Sequence, residues 1–226
     1  QQNEVLQLEE DDITLAALRD AASETGIWLL IGSLALKTKD ADGRFANRSF
    51  LIAPDGSIAA RYDKIHMFDV QINETETYRE SAGYRPGTQA VVAETPFSKI
   101  GLSICYDMRF PQLYQALATA GAQILTTPAA FSPVTGAAHW HALLRARAIE
   151  TGCFVIAPAQ TGTHASASHK TRDTYGHSLV VDPWGEVILD AETTPGVYIF
   201  DLNMEKGEAA RKKVPSLANR RDFSDP

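Results

Sequence analysis

The sequence predicts an α/β protein, and three observations carry that prediction. From Lys99 to Gln160 short apolar runs alternate with helical patterns in the order strand, helix, strand, helix, strand. Two stretches, "FLIAPDGSIAARY" and "LVVDPWGEVILDA", each set a Pro-x-Gly turn between apolar runs, which reads as a hairpin. Near the start, "DDITLAALRDAASETG" has an acidic N-cap and a glycine stop around a helical run. At 226 residues, 44% hydrophobic and 22% charged, the chain fits one large domain over residues 1–226 better than two.

Taken in order, the first helix has Asp11 or Asp12 as N-cap, Ile13, Ala17 and Ala21 along one face, and Gly26 just past its end. The run "IWLLIGSLAL" has strand length and is apolar enough to be covered on both faces. "KDADG" is a turn and "RFANRSFLIA" a strand that enters the first hairpin. "KIGLSIC" reads as a buried strand, followed by the helix "FPQLYQALATAGA" with Pro111 in its first turn and Gly121 as its stop. "QILTTPA" is the next strand. "AAHWHALLRARAIETG" is a helix with Leu143, Ala146, Ala148 and Ile149 available for packing, and "CFVIAPAQ" a third strand. The tail from Asn203 to Pro226 reads as a charged helix and an extended arm, a form suited to packing on another subunit.

Composition narrows the functional classes. A net charge of −7 with interspersed signs argues against nucleic-acid or anionic-membrane partners. Two cysteines argue against a disulfide scaffold and for a reducing compartment such as the cytoplasm. No apolar run approaches the ~20 residues that span a bilayer. The polar opening "QQNEVLQLEEDD" carries no signal-peptide pattern and, without a Met, looks like a fragment edge.

One of the two cysteines, Cys105, closes an apolar strand just before a helix, where α/β proteins present reactive groups. Thiol catalysis needs a thiolate, a proton acceptor and donors for an oxyanion. The turn after Cys105 can supply donors, the Tyr106 N–H among them; the plainer reading of such a cysteine is a small apolar filler. Lys64, in "ARYDKIHMFDV", follows a hairpin, where a solvated surface lysine is the ordinary reading. A papain-like arrangement lacks its His context. A metal site also fails on spacing: His139 and His141 diverge on a helix, and His164 and His169 lie in a polar stretch without a carboxylate or Cys at ligand spacing. No metal or organic cofactor is implied, and no Gly-rich phosphate loop appears.

Together, "GLSICYDMRFP", "YDKIHMFDV", "YRES", "AHWHALLRARAIE" and "YGHSLVVDPWGEV" make the chain resemble the nitrilase superfamily of carbon–nitrogen hydrolases. The likeness runs from about Leu15 to the C-terminal arm. It is strongest to the branch holding deaminated glutathione amidase and ω-amidase, on "CYDMRFP" and "LLRARAIETG". The resemblance implies a four-layer α–β–β–α sandwich, a homodimer or higher homo-oligomer, and amide hydrolysis through a Cys thioester.

It also implies roles. Cys105 matches the nucleophile, and Lys64 the lysine that holds the oxyanion with the Tyr106 N–H. Glu80 matches a second glutamate beside that lysine. Arg109 stands where related amidases hold a substrate carboxylate, Phe131 and Thr135 fall on a loop lining the pocket, and His177 reads as structural. The family's general-base glutamate matches no residue here: Glu4, Glu9 and Glu10 lie in a polar segment, not at a strand end. The expectation is that the strand, helix and strand carrying it are missing from the chain. The alternative is a natural protein without a base. Gln112 and His141 replace glutamates usual in relatives, and His141 bears on the fine positioning of the lysine. An N-carbamoyl amino acid or nitrile hydrolase, and a non-catalytic binding protein, remain as rival functions.

Overall fold

The computed structural model describes residues 5–72, 74, 76–165 and 171–224, so Glu4 and His169 lie outside the described residues. Strands β1 (Leu29–Leu36), β2 (Ala46–Ile52) and β3 (Ile58–Asp63) form an antiparallel sheet in that order. A small hairpin of β4 (Asp69–Gln71) and β5 (Thr77–Arg79) follows. The second sheet draws on β6 (Val91–Glu94), β7 (Lys99–Leu102), β8 (Ile124–Thr126) and β9 (Phe154–Ala157). After a hairpin of β10 (Thr161–His164) and β11 (Arg172–Tyr175), it is completed by β12 (Leu179–Val181) and β13 (Val187–Asp190). Its order is β13-β12-β9-β8-β7-β6, with β7, β8 and β9 parallel and the outer pairs antiparallel.

The period of two in β2 explains the layering. Phe50 and Ile52 face helix α1 (Ile13–Thr25) and pack with Leu15 and Ala22. Leu51 points the other way and, with Tyr62, meets Ile100, Leu102, Ile124 and Phe154 of the second sheet. That sheet's far face is covered by helices α2 (Pro111–Thr119) and α3 (Pro133–Thr151). Tyr114, Leu117, Trp140 and Leu144 pack there on Leu125, Val155 and Val181. Burying each large side chain of this kind contributes about 1.5–3 kcal/mol relative to exposure. The result is the α–β–β–α sandwich that the resemblance implies. Helix α4 (Glu205–Lys213) latches to it through Arg211, which donates to the carbonyls of Ala122 and Thr151.

Both Pro-x-Gly stretches are hairpin turns, and Gly56 and Gly185 adopt φ of +79° and +85°, which a side chain would oppose. Asp12 is the N-cap of α1, accepting from the Leu15 N–H at 2.7 Å. Three details differ from the sequence reading. The buried face of α1 is Leu15, Leu18 and Ala22, not Ile13, Ala17 and Ala21, because the two leucines offer more apolar area to β1 and β2. Helix α3 begins at Pro133, so Thr135 lies in its first turn rather than on a loop. Ile149 is exposed, while Trp140 and Leu144 form the packed stripe.

Candidate active site

At the carboxyl ends of β7, β8 and β9 the chain must turn, and a cavity of about 460 Å³ opens there. Ligand crevices of α/β sheets form at such strand ends. Its wall combines Cys105 and Tyr106 after β7, Ala130 and Phe131 after β8, and Gln160 after β9. Lys64 after β3, Glu80 after β5, Thr135 from α3 and Arg172 from β11 complete it.

Cys105 opens a 3-10 turn, Cys105–Arg109, with φ +49°. A non-glycine residue in this region costs about 1–3 kcal/mol, so the surroundings must hold it there. They do so at four points. The Cys105 N–H donates to the Pro128 carbonyl at 2.9 Å. The buried Asp107 carboxylate accepts from the Ile104 N–H at 2.9 Å, the Tyr62 hydroxyl at 2.6 Å and the His66 N–H at 3.0 Å. The same carboxylate pairs with His66 Nδ1 at 2.7 Å, and that ring stacks on Phe110. The buried Arg147 guanidinium donates to the Met108 carbonyl at 2.8 Å. With the Cys105 amide spent on Pro128, the Tyr106 N–H is the next in the turn, and N-terminal amides of a helical turn have no earlier carbonyl within it.

Lys64 is 3% exposed, so the surface-lysine reading is corrected. Its backbone is pinned on both sides, N–H to the Asn47 carbonyl at 2.9 Å and carbonyl from the Gly87 N–H at 2.7 Å. Its ammonium donates to Glu80 Oε2, which also accepts the Phe68 N–H at 2.6 Å. Asn47, bonded to the Ser33 hydroxyl, approaches Glu80 Oε1 at 3.5 Å. A buried ammonium thus faces the cavity with its counterion fixed by further donors. Burial pushes the Cys105 thiol above its ordinary range, and the Lys64 charge and a backbone hydrogen bond at Ala130 pull it down.

Phe131 and Thr135 line the cavity, but Arg109 does not. Its guanidinium is spent outside the wall, 3.3 Å from His139 Nδ1 and over the Tyr106 and Phe131 rings at 5.8 and 5.4 Å. Two arginines enter the wall, Arg79 and Arg172, and Arg172 donates to the Ala130 carbonyl at 2.8 Å and covers the Tyr78 ring. Sequence reasoning passed over Arg172, Asp107 and Arg147. Asp107 and Arg147 carried a signal, since both stand inside the motifs "CYDMRFP" and "LLRARAIE". Arg172, in a polar stretch, carried none. His141 turns away from the lysine toward Asp190, and Gln112 is exposed on α2.

Glu80 is the one carboxylate lining the cavity among the described residues. Glu9 is bound to Arg48 and Arg61, and Glu10 to Lys39, and neither lines the cavity of Cys105. No helix of the described residues is long and apolar enough to cross a membrane.

Cys105, in its left-handed turn, thus shares a cavity with the buried Lys64–Glu80 pair. The chain belongs to the carbon–nitrogen hydrolase family, whose model matches residues 1–212. It is 42% identical over 205 residues to a deaminated glutathione amidase of Synechocystis, covering 90% of this chain and 74% of that protein. It is 46% identical over 208 residues to the deaminated glutathione amidase of Yersinia enterocolitica, covering 92% and 71%. Among solved structures, the C. elegans NitFhit protein superposes with a TM-score of 0.80 at 38% identity, covering 93% of this chain and 50% of that one. A variant of the amidase from Nesterenkonia sp. AN1 aligns with a TM-score of 0.73 at 25% identity, over 94% and 72% of the two chains. It carries the acetamide moiety of fluoroacetamide covalently at its active-site cysteine.

Proposed function

We propose that this chain is a thiol amidase that hydrolyses the amide of a small carboxylate-bearing substrate, of the deaminated-glutathione or ω-amido acid type. The observation that carries the reading is the shared cavity of Cys105 and the buried Lys64–Glu80 pair. The names of the relatives from Synechocystis and Yersinia support the substrate class.

In the proposed reaction the Cys105 thiolate attacks the amide carbon and a C–S bond forms. The carbonyl electrons move to oxygen, where the Lys64 ammonium and the Tyr106 N–H hold them. Collapse breaks the C–N bond, and the nitrogen leaves carrying the proton given up by the thiol, as ammonia from an ω-amide or as the free amine from a substituted amide. Water then cleaves the thioester, returning the thiol and a carboxylate. Glu80 orients Lys64 and has two donors on it already, so the proton acceptor for the thiol is assigned to none of the described residues. Phe131 and Thr135 shape the substrate side of the wall.

The test is a substrate panel. Ammonia from α-ketoglutaramate, or cysteinylglycine from deaminated glutathione, supports the proposal, and carbon dioxide from an N-carbamoyl amino acid with neither of these products overturns it.

The substrate carboxylate is assigned to Arg172 in place of Arg109, because Arg172 lines the cavity and Arg109 does not; Arg79, which also lines it, donates to the Tyr78 carbonyl at 3.1 Å. A charge-assisted bond of about 1.5–3 kcal/mol corresponds to roughly 10- to 100-fold in KM. Arg172→Gln is expected to raise KM by that factor with a smaller change in kcat, and Arg109→Gln to leave KM within about threefold. The reverse ranking would return the role to Arg109.

A further inference from the structure

Away from the cavity, three side chains from three elements converge. His141 lies on α3, Asp190 ends β13, and His177 lies between β11 and β12. One Asp190 oxygen, Oδ2, is 2.9 Å from His141 Nε2 and 3.1 Å from His177 Nδ1, and all three ligand atoms fall within 4.8 Å of one another. None of the three lines the catalytic cavity. Spacing along the chain could not reveal this group, since its members are 36 and 13 residues apart.

We propose that His141, His177 and Asp190 form a site for a borderline divalent transition-metal ion such as Zn²⁺. The donor set is two neutral imidazoles and one carboxylate, which selects Zn²⁺ and its neighbours over Mg²⁺ or Ca²⁺. Four ligands at 2.0–2.1 Å around tetrahedral Zn²⁺ stand about 3.3 Å apart. The two oxygen–nitrogen separations already approach that value, and the two nitrogens lie within 4.8 Å of each other, so a small ring rotation completes the set. His141, with its side chain 35% exposed, is the ring with room to turn, while His177 is held by its stack on Tyr175. That exposure also leaves the fourth position to water.

The supports of each ligand are in place. Asp190 Oδ1 accepts the Glu192 N–H at 2.9 Å, which orients the carboxylate. The His177 carbonyl accepts from Trp140 Nε1 at 2.8 Å, and its ring stacks on Tyr175 with centroids 4.4 Å apart. Such outer partners fix ligand orientation in metal sites. Among the described residues three non-glycine residues have left-handed φ: Cys105, His177 and Glu192. Two of the three frame this cluster, and backbone strain of this kind gathers where a site is held in place. A bound ion would clamp α3 to the β12–β13 hairpin. Because α3 also carries Thr135, the clamp would stiffen one wall of the cavity.

The experiment is calorimetric titration of the purified chain with ZnCl₂, paired with thermal unfolding. The Cys105 thiol is a competing soft ligand, so the titration is repeated on Cys105→Ala. The expected result is one saturable site in both proteins, weakened at least tenfold in His141→Gln and separately in His177→Gln. A Tm rise of about 5 °C is expected at a hundredfold excess of Zn²⁺ over Kd in the parent and not in the variants. Circular dichroism without metal checks that each variant folds, and two independent ligand changes guard against one that does not. No saturable binding, or binding lost in Cys105→Ala yet kept in both histidine variants, overturns the site and leaves a hydrogen-bonded cluster. Neither outcome touches the amidase proposal, which is read by ammonia release.

Discussion

Cys105→Ala is expected to lower ammonia release by about 10⁴-fold or more, because removing a nucleophile deletes the covalent route altogether. The fold should survive, since Cys105 is only half-buried and its backbone is held by Pro128, Asp107 and Arg147 rather than by its sulfur. Intact mass after incubation with a fluoroacetamide-type amide should show one adduct on the parent and none on the variant. The pH dependence carries a sign. Burial raises the thiol's pKa, so at neutral pH the free protein holds mostly thiol. Alkylation by iodoacetamide should therefore climb about tenfold per pH unit through neutrality and keep rising past the ordinary thiol range of about 8.5. Cys153, buried before β9, should label only on unfolding. Normal ammonia release from Cys105→Ala would end the thiol mechanism.

The fold was legible wherever local pattern and tertiary environment agreed. The hairpins at Gly56 and Gly185, the N-cap at Asp12 and the proline-started helix α2 all rest on interactions within a few residues. The face of α1 was misread because three small or β-branched residues at helical spacing look as periodic as Leu15 and Leu18. Only the sheet beneath decides which stripe is buried. For the site, Cys105 and Lys64 were found through motifs, but the reason Lys64 is buried is spatial. Its partner Glu80, and the Phe68 and Asn47 groups that donate to Glu80, come from separate strands and turns. Arg172 and the His141–His177–Asp190 group depend on how β11, α3 and β13 meet, which no spacing in the chain encodes.

Lys64→Met should have two separable effects, and their separation tests the role of the charge. The first is on stability: the variant leaves the Glu80 carboxylate, 16% exposed, facing a cavity without its counterion. Breaking a buried pair from one side costs about 3–5 kcal/mol, part of it relieved here because Phe68 and Asn47 still donate to Glu80. The second is on catalysis, where loss of one preorganised oxyanion donor costs about 10²–10³ in kcat. Pairing the change with Glu80→Gln removes the stranded charge. The double variant should regain much of the lost Tm, while kcat stays down, because neither methionine nor glutamine presents a cation to the oxyanion. A lysine serving only to hold the wall in shape would give the opposite pattern, with activity returning alongside stability. Urea unfolding and steady-state ammonia release on the same four proteins, parent, two singles and double, distinguish the two.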